Sequence, residues 1–316
     1  MRVLVGSTGF VGSNLYASGQ FDHAFHSTDI KEAYGLEPEL LVYAGVRAEK
    51  YMADQNPEKD LKHIQETFDT ITRIAPKRLV LISTIDVYPV PKDVDEDSAI
   101  EWGDKKGYGA NRFLLEKMVR EHYQNALIVR LPALYGNHIK KNFIYDYLHK
   151  IPNMLRAEKY GELSEMSRLI SESYQETENG FYKYVGTDIN DEINLEKEFE
   201  KTGFSTLQFT DSRSVFQFYP LSLLWKHIQT ALQNNIYLLN IATEPVSASE
   251  IYRVLAADSF TNILEKEPAF YDMKSIHAAL LGGNNGYILP KEWLLSDLKS
   301  FVEKERGKQA GKTEWN

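Results

Sequence analysis

The sequence predicts an α/β protein: a doubly wound parallel sheet joined to a smaller, mostly helical lobe. Three observations lead there. Short runs rich in Val, Ile and Leu alternate with amphipathic stretches across the first half, as in a parallel sheet covered by helices. A glycine-spaced turn, "GSTGFVG", follows the first of these runs directly. Beyond about residue 140 the texture turns polar and charge-rich, which sets the second lobe apart.

The strands read in order as "RVLVG" (2–6), "AFHST" (24–28), "ELLVYAG" (39–45), "KRLVLIS" (77–83) and "ALIVRL" (126–131). Their nearly unbroken apolar character fits strands buried on both faces. Leu61, Ile64, Phe68 and Ile71 recur at three- and four-residue steps, the buried stripe of a helix over 57–74. Phe113, Leu114, Leu115, Met118 and Val119 mark a second helix, from Tyr108 to about 124. The stretch 142–201 reads as mostly helical, with "DINDEINLEKEFEK" (188–201) largely a solvated face. "STLQFTD" (205–211) and "YLLNIA" (237–242) read as strands returning to the sheet. The remainder reads as an α-rich cap, with "LPKEWLLSDLKSFVEKER" the last helix and "GKQAGKTEWN" a frayed tail.

Composition narrows the chemistry. Hydrophobic residues make up 43% and charged residues 26% of the 316-residue chain, an ordinary globular balance. Cysteine is absent, which removes disulfides, thiolate metal sites and cysteine nucleophiles. The eight histidines show no paired ligand spacing, so no metal is expected. "DVDEDSAIEWGD" (93–104) places acids loosely like a calcium loop, but Ser98 stands where the sharp turn needs glycine; it reads as an acidic solvent loop. A net charge of −9 argues against a nucleic-acid partner. The aromatic-rich "VFQFYPLSLLW" (215–225), with no basic patch beside it, reads as core. No apolar run approaches the ~20 residues of a membrane span, and "MRVLVGS" reads as a buried strand, so a cytoplasmic location without a membrane partner is expected.

In "GSTGFVG", Gly6, Gly9 and Gly12 stand between a strand and the opening of a helix, with Phe10 and Val11 inside the turn. Glycines here allow a tight turn and close approach of a pyrophosphate to backbone amides. Asp29 lies seventeen residues past Gly12, at the end of the second strand, where an acid takes the ribose hydroxyls. Strand, turn, helix, strand and acid together point to a Rossmann-like dinucleotide site. The expected division is 1–136 plus about 205–243 for the dinucleotide domain, and about 137–204 plus 244–316 for a substrate lobe. The acid opposes a 2′-phosphate, so NAD is the expected cofactor, with NADP possible.

Four segments in this order resemble the extended short-chain dehydrogenase/reductases, the NAD-dependent epimerase/dehydratase group: "GSTGFVG", "YAG" (43–45), "LISTIDVYP" (81–89) and "YGANRFLLE" (108–116). "VRLPALYG" (129–136) resembles the family strand whose proline, here Pro132, lies beside the nicotinamide. The short span after Asp29 and "KKNFIYDYL" (140–148) are most similar to dTDP-4-dehydrorhamnose reductases. The resemblance implies cofactor contacts at Gly6, Gly9, Phe10, Val11, Gly12, Asp29, Ala44, Gly45, Tyr108, Arg112 and Pro132. It implies hydride exchange with a sugar carbonyl or hydroxyl, on a nucleotide-activated sugar, through a Ser/Thr, a Tyr and a Lys. The Ser/Thr position falls on Thr84, three residues before Val87-Tyr88, and the Tyr falls on Tyr108, twenty-four residues later.

The lysine position holds Arg112. Residues four apart share a helix face, so Arg112 can favour a phenolate at Tyr108, whose ordinary pKa of about 10 is high for a base. Arginine is nevertheless larger, planar and differently aimed. Tyr88 and Tyr287 also precede lysines by four residues, but intervening prolines spoil the helical register. Thr84, Asp86, Asn142 and Arg213 are the expected substrate residues, with Arg213, Lys141 and Asn142 offsetting Ala133 where family members carry Asn. Family dehydratases place an acid pair after the Thr; here Ile85 replaces one member. The family pairs through helices equivalent to 57–74 and 108–124, which implies a homodimer. The resemblance implies an epimerase or a reductase, separated by redox-neutral isomerisation against reduction of a 4-keto sugar; a dehydratase and a non-catalytic NAD(P)-binding protein stay open as alternatives.

Overall fold

The apolar runs build a six-stranded, all-parallel sheet in the computed structural model, which describes residues 1–177, 180–186 and 189–313. Its strands are β1 (Arg2–Val5), β2 (His23–Phe25), β3 (Leu40–Tyr43), β4 (Leu79–Thr84), β5 (Leu127–Leu131) and β6 (Leu238–Asn240). Helices α1 (Phe10–Tyr16), α2 (Lys50–Gln55), α3 (Pro57–Ile74), α4 (Tyr108–His122) and α5 (Leu224–Gln233) connect and flank them. Successive strand side chains point to opposite faces. Val3, Val5, Leu79, Leu81 and Ile128 therefore enter one core, and Leu4, Val80, Ile82, Leu127 and Val129 the other. Ile64, Ile71 and Ile74 of α3 with Leu115 and Val119 of α4 close the first face. Leu15 of α1 with Leu224, Trp225, Ile228 and Ala231 of α5 close the second. Each fully buried Leu or Ile contributes about 1.5–3 kcal/mol, which holds such short strands in place.

The strand order is β6-β5-β4-β3-β1-β2. From β1 the chain steps out to β2, then returns to lay β3 on the other side of β1. Strand order thus reverses at β1, and open α/β sheets bind ligands in the crevice beyond the carboxyl ends at such a reversal. The link from β2 to β3 contains one 3-10 turn, Ile30–Ala33, instead of a crossover helix. β2 is also shorter than its apolar run: it stops at Phe25, because the His26 amide donates to Asp29 Oδ1 at 2.6 Å and curls the chain.

Two units compose the chain. The first takes in Met1–Ile139, Val215–Val246 and Ala269–Leu295; the second takes in Lys140–Ser214, Ser247–Pro268 and Ser296–Asn316. The stretch 269–295, read from sequence as part of a helical cap, groups with the sheet instead. Asp272–Met273 pairs in parallel with Lys92–Val94, and the Gln217 side chain donates to the carbonyls of Thr243 and Met273. The acidic loop after Lys92 is also more than a solvent loop. Glu96 accepts from the amides of Asn240 and Ile276 at 2.8 and 2.9 Å and from the Ser275 hydroxyl at 2.6 Å.

The second unit combines helices with a small antiparallel sheet that sequence did not announce: Met154–Arg156, Phe181–Tyr184 and Tyr174–Glu176. Leu155 and Tyr174 from these strands pack with Leu163, Ile170, Leu195 and Phe199 from the neighbouring helices. Segment 205–211, expected as a strand, forms a 3-10 helix at Thr206–Phe209. The Thr206 hydroxyl reaches the carbonyls of Asp146 and His149, at 2.6 and 3.0 Å, and anchors it there. The last helix, Lys291–Thr313, continues through most of the segment expected to fray; residues 314–316 lie outside the described residues. No described helix is long and apolar enough to cross a membrane.

Candidate active site

The glycine turn is built by close approach. Gly6 has φ +91°, and a Cβ there would stand 2.6 Å from the Ala44 carbonyl. Only glycine lets the end of β1 press against Ala44-Gly45 after β3. A Cβ on Gly12 would meet Gly6 O at 2.0 Å, so this glycine lets α1 pack onto the turn. Phe10 and Val11 turn their side chains toward the sheet core, so what the turn offers a ligand is backbone. Asp29 is 31% exposed, its carboxylate held by the His26 amide and facing His26 Nε2 at 3.4 Å. Pro132 is buried where β5 ends, and Ala133–Tyr135 leaves the sheet to pair with Phe218–Pro220.

Thr84, Asp86 and Tyr108 come together in the first unit. Thr84 closes β4 and caps the 3-10 turn Ile85–Val87: its Oγ1 accepts from the Asp86 amide at 3.2 Å and donates to Asp86 Oδ2 at 3.4 Å. Tyr108 opens α4, its amide donating to Asp54 Oδ1 of α2 at 2.8 Å. Gly109 joins the two segments. A Cβ there would lie 2.0 Å from the Asp86 carbonyl oxygen and 2.5 Å from the Trp102 ring, so any larger residue would drive Asp86 away from α4. Tyr88 and Tyr287 take no comparable place. Tyr88 bonds with Arg130 and the Asp95 carbonyl, and Tyr287 with Asp272, and neither lies in a helix.

Arg112 is buried beneath Tyr108, its guanidinium carbon 4.2 Å from the centre of the phenol ring. One terminal nitrogen donates to Asp60 Oδ2 at 2.5 Å and the other to the Arg47 carbonyl at 2.5 Å. Asp60 also accepts from Asn111 at 2.8 Å. Nε is buried without a hydrogen-bond partner among the described residues. The guanidinium is therefore committed at both ends and stacked on the ring face.

Lys50 was not singled out by sequence. Its ammonium lies 2.6 Å from Asp86 Oδ1, and the Tyr271 hydroxyl donates to the same oxygen at 3.4 Å. The only sequence trace is that Lys50 and Asp54 lie four apart, on one face of a short helix. Burial works against the Lys50 charge, but Asp86 and Tyr271 outweigh it and hold the ammonium above its usual range. For Tyr108, burial pushes the phenol up. Arg112 and Lys50 pull it back and Asp86 adds to the rise, so the net is upward. Tyr108 is a protonated phenol at neutral pH, suited to giving a proton.

The other two expected substrate residues belong to the second unit. Asn142 caps the helix Phe143–Leu148, its side chain accepting from the Ile144 and Tyr145 amides. Arg213 forms a two-pronged pair with Asp211 at 2.9 and 2.7 Å. That pair, with amide donation from Leu264 and Arg213, holds the Asp211 carboxyl well below the usual carboxylate range.

Residues 40–178 match the model of the NAD dependent epimerase/dehydratase family. No curated protein matches the sequence. Among solved structures, a dTDP-4-dehydrorhamnose reductase from Yersinia enterocolitica superposes with a TM-score of 0.61 at 12% identity, covering 96% of this chain and 98% of its own. A reductase of the same name from Bacillus anthracis, in complex with NADP, gives 0.58 at 15%, covering 96% and 98%. A short-chain dehydrogenase/reductase superfamily protein from Agrobacterium tumefaciens, with bound NAD, gives 0.57 at 15%, covering 100% of both chains. The chain therefore carries, over residues 40–178, the sequence signature of the NAD dependent epimerase/dehydratase family, on a fold shared with the short-chain dehydrogenase/reductases.

Proposed function

We propose that this protein is a nicotinamide-dependent oxidoreductase that reduces the carbonyl of a sugar carried on a nucleotide. One observation carries the reading: Thr84, Asp86 and a protonated Tyr108 meet at the carboxyl end of β4, in the sheet whose strand order reverses beside the glycine turn. The backbone of Gly6, Gly9, Phe10, Val11 and Gly12 suits a pyrophosphate, and Asp29 suits ribose hydroxyls. Ala44, Gly45 and Pro132 stand at the ends of β3 and β5, where the rest of the cofactor would lie. NAD fits Asp29 better than NADP does, though the Bacillus relative holds NADP.

A bound nicotinamide would supply the hydride. Tyr108 gives its phenolic proton to the carbonyl oxygen, and the Thr84 hydroxyl, loosely held by Asp86, turns to hydrogen-bond that oxygen. A raised phenol favours this reducing direction, because the donor form is already populated. Arg112 packs under the ring and keeps α4 on α3. Elimination chemistry has less support, since Ile85 is buried and carries no acid. The nucleotide-sugar reading draws on the names of the reductases that share the fold, and pairing through the outer faces of α3 and α4 belongs to the same reading.

The test measures NADH and NADPH binding, and reduction of 4-keto nucleotide sugars, in the wild type, Tyr108→Phe, Arg112→Lys and Arg112→Ala. Tyr108→Phe should keep NADH affinity while losing about 100- to 10,000-fold in turnover. A wild type that binds neither dinucleotide, or a Tyr108→Phe variant as active as wild type, would overturn the reading. Binding without turnover of any carbonyl or sugar would leave the non-catalytic protein in its place.

A further inference from the structure

The lysine that the family places one turn after the tyrosine is absent from α4; Arg112 stands there instead, beneath the ring, and of the charged groups around the phenol it pulls it down most. Paired with a buried carboxylate at 2.5 Å and bonded to a carbonyl at its other end, the guanidinium is fixed in that place. Lys50 and Asp86 act on Tyr108 as well, from the rim. Three contacts put them there. Asp54 holds the Tyr108 amide from α2, and Lys50 sits one turn earlier on the same face. The backbone of Asp86 presses on Gly109, the second residue of α4. Lys50 Nζ then closes the loop onto Asp86 Oδ1 at 2.6 Å.

Resting on the reading of Tyr108 as proton donor, we propose that Lys50 and Asp86 are opposed positioning residues for its proton, with Lys50 adding from α2 a second cation to that of Arg112. Removing Lys50 leaves the Asp86 carboxylate unopposed, which disfavours a phenolate; removing Asp86 leaves the ammonium unopposed, which favours one. The other charged groups around the tyrosine do not change in these variants. Arg112 stays paired with Asp60 below the ring, Asp54 stays on the Tyr108 amide, and Tyr271 reaches the site through Asp86.

The test titrates full-length protein carrying tyrosine labelled with carbon-13 at Cζ, the Tyr108 resonance being assigned by its loss in Tyr108→Phe. Lys50→Met should ionise Tyr108 at a pH about half a unit or more above wild type. Lys50→Arg should restore the wild-type midpoint, Asp86→Asn should lower it, and Lys50→Met with Asp86→Asn should fall between. An unchanged midpoint in Lys50→Met, or a Lys50→Arg shift as large as that of Lys50→Met, overturns the proposal. Should Lys50→Met not fold, Lys50→Gln and the downward shift in Asp86→Asn answer the same question. NADH affinity, measured on the same samples, should not change in Lys50→Met. A wild type that fails to bind NADH sinks the proposed function, while the titration still decides for or against Lys50.

Discussion

The floor and the rim of the Tyr108 site each hold one ion pair, and depth separates what the two can do. On the floor, Arg112 and Asp60 have side chains only 4% and 9% exposed. On the rim, Lys50 and Asp86 are 51% and 22% exposed. A buried pair cannot lose one partner cheaply, because the survivor is an uncompensated charge out of water. A rim pair adds little to stability, because water screens it whether or not it forms. The floor is therefore architecture, binding α4 to α3, whereas the rim is free to vary in charge without disturbing the fold.

The largest expected effect breaks the floor. Asp60→Ala strands the Arg112 guanidinium and should cost about 3–5 kcal/mol in urea unfolding. A cost under about 1 kcal/mol would mean that Arg112 escapes to solvent and that the two pairs do not differ. A buried group away from both pairs sets the pH background. His227, beside the Tyr219 hydroxyl at 2.8 Å, is pushed down to about 4 by burial, with the Lys226 charge contributing. Its folded value lies below the unfolded ~6.5. Its contribution is thus complete above that pH and drains as pH falls toward 4, about 3 kcal/mol in all. His227→Gln should flatten stability across that window, and if the loss persists unchanged, the acid sensitivity belongs to carboxylates. The smallest effect sharpens the rim: Lys50→Met should change unfolding stability by less than about 1 kcal/mol. A loss of several kcal/mol would make Lys50 a structural residue like Arg112.

Legibility followed the range of the interactions. The helix over 57–74 was readable to both of its ends because its apolar stripe repeats locally. β1 and β3–β6 were readable because strands covered on both faces leave continuous apolar runs. The strands of the second unit were hidden, since "YQE" and "FYKY" mix aromatic and charged residues and find their apolar partners only across space. Asn142 and Arg213 were read as substrate residues; that a helix end and a carboxylate two residues away also engage them came from the fold. Glu96 looked solvated until three donors from 240, 275 and 276 converged on it.

By itself, the sequence determined the sheet, its covering helices, the glycine turn and the tyrosine at the start of α4, because periodicity and glycine placement act through neighbouring residues. Only the tertiary structure decided which cation faces which carboxylate. Asp60 lies 52 residues from Arg112 along the chain, and Lys50 lies 36 from Asp86. Coulombic partners are chosen by distance and burial in the folded chain, and neither quantity is written in local order.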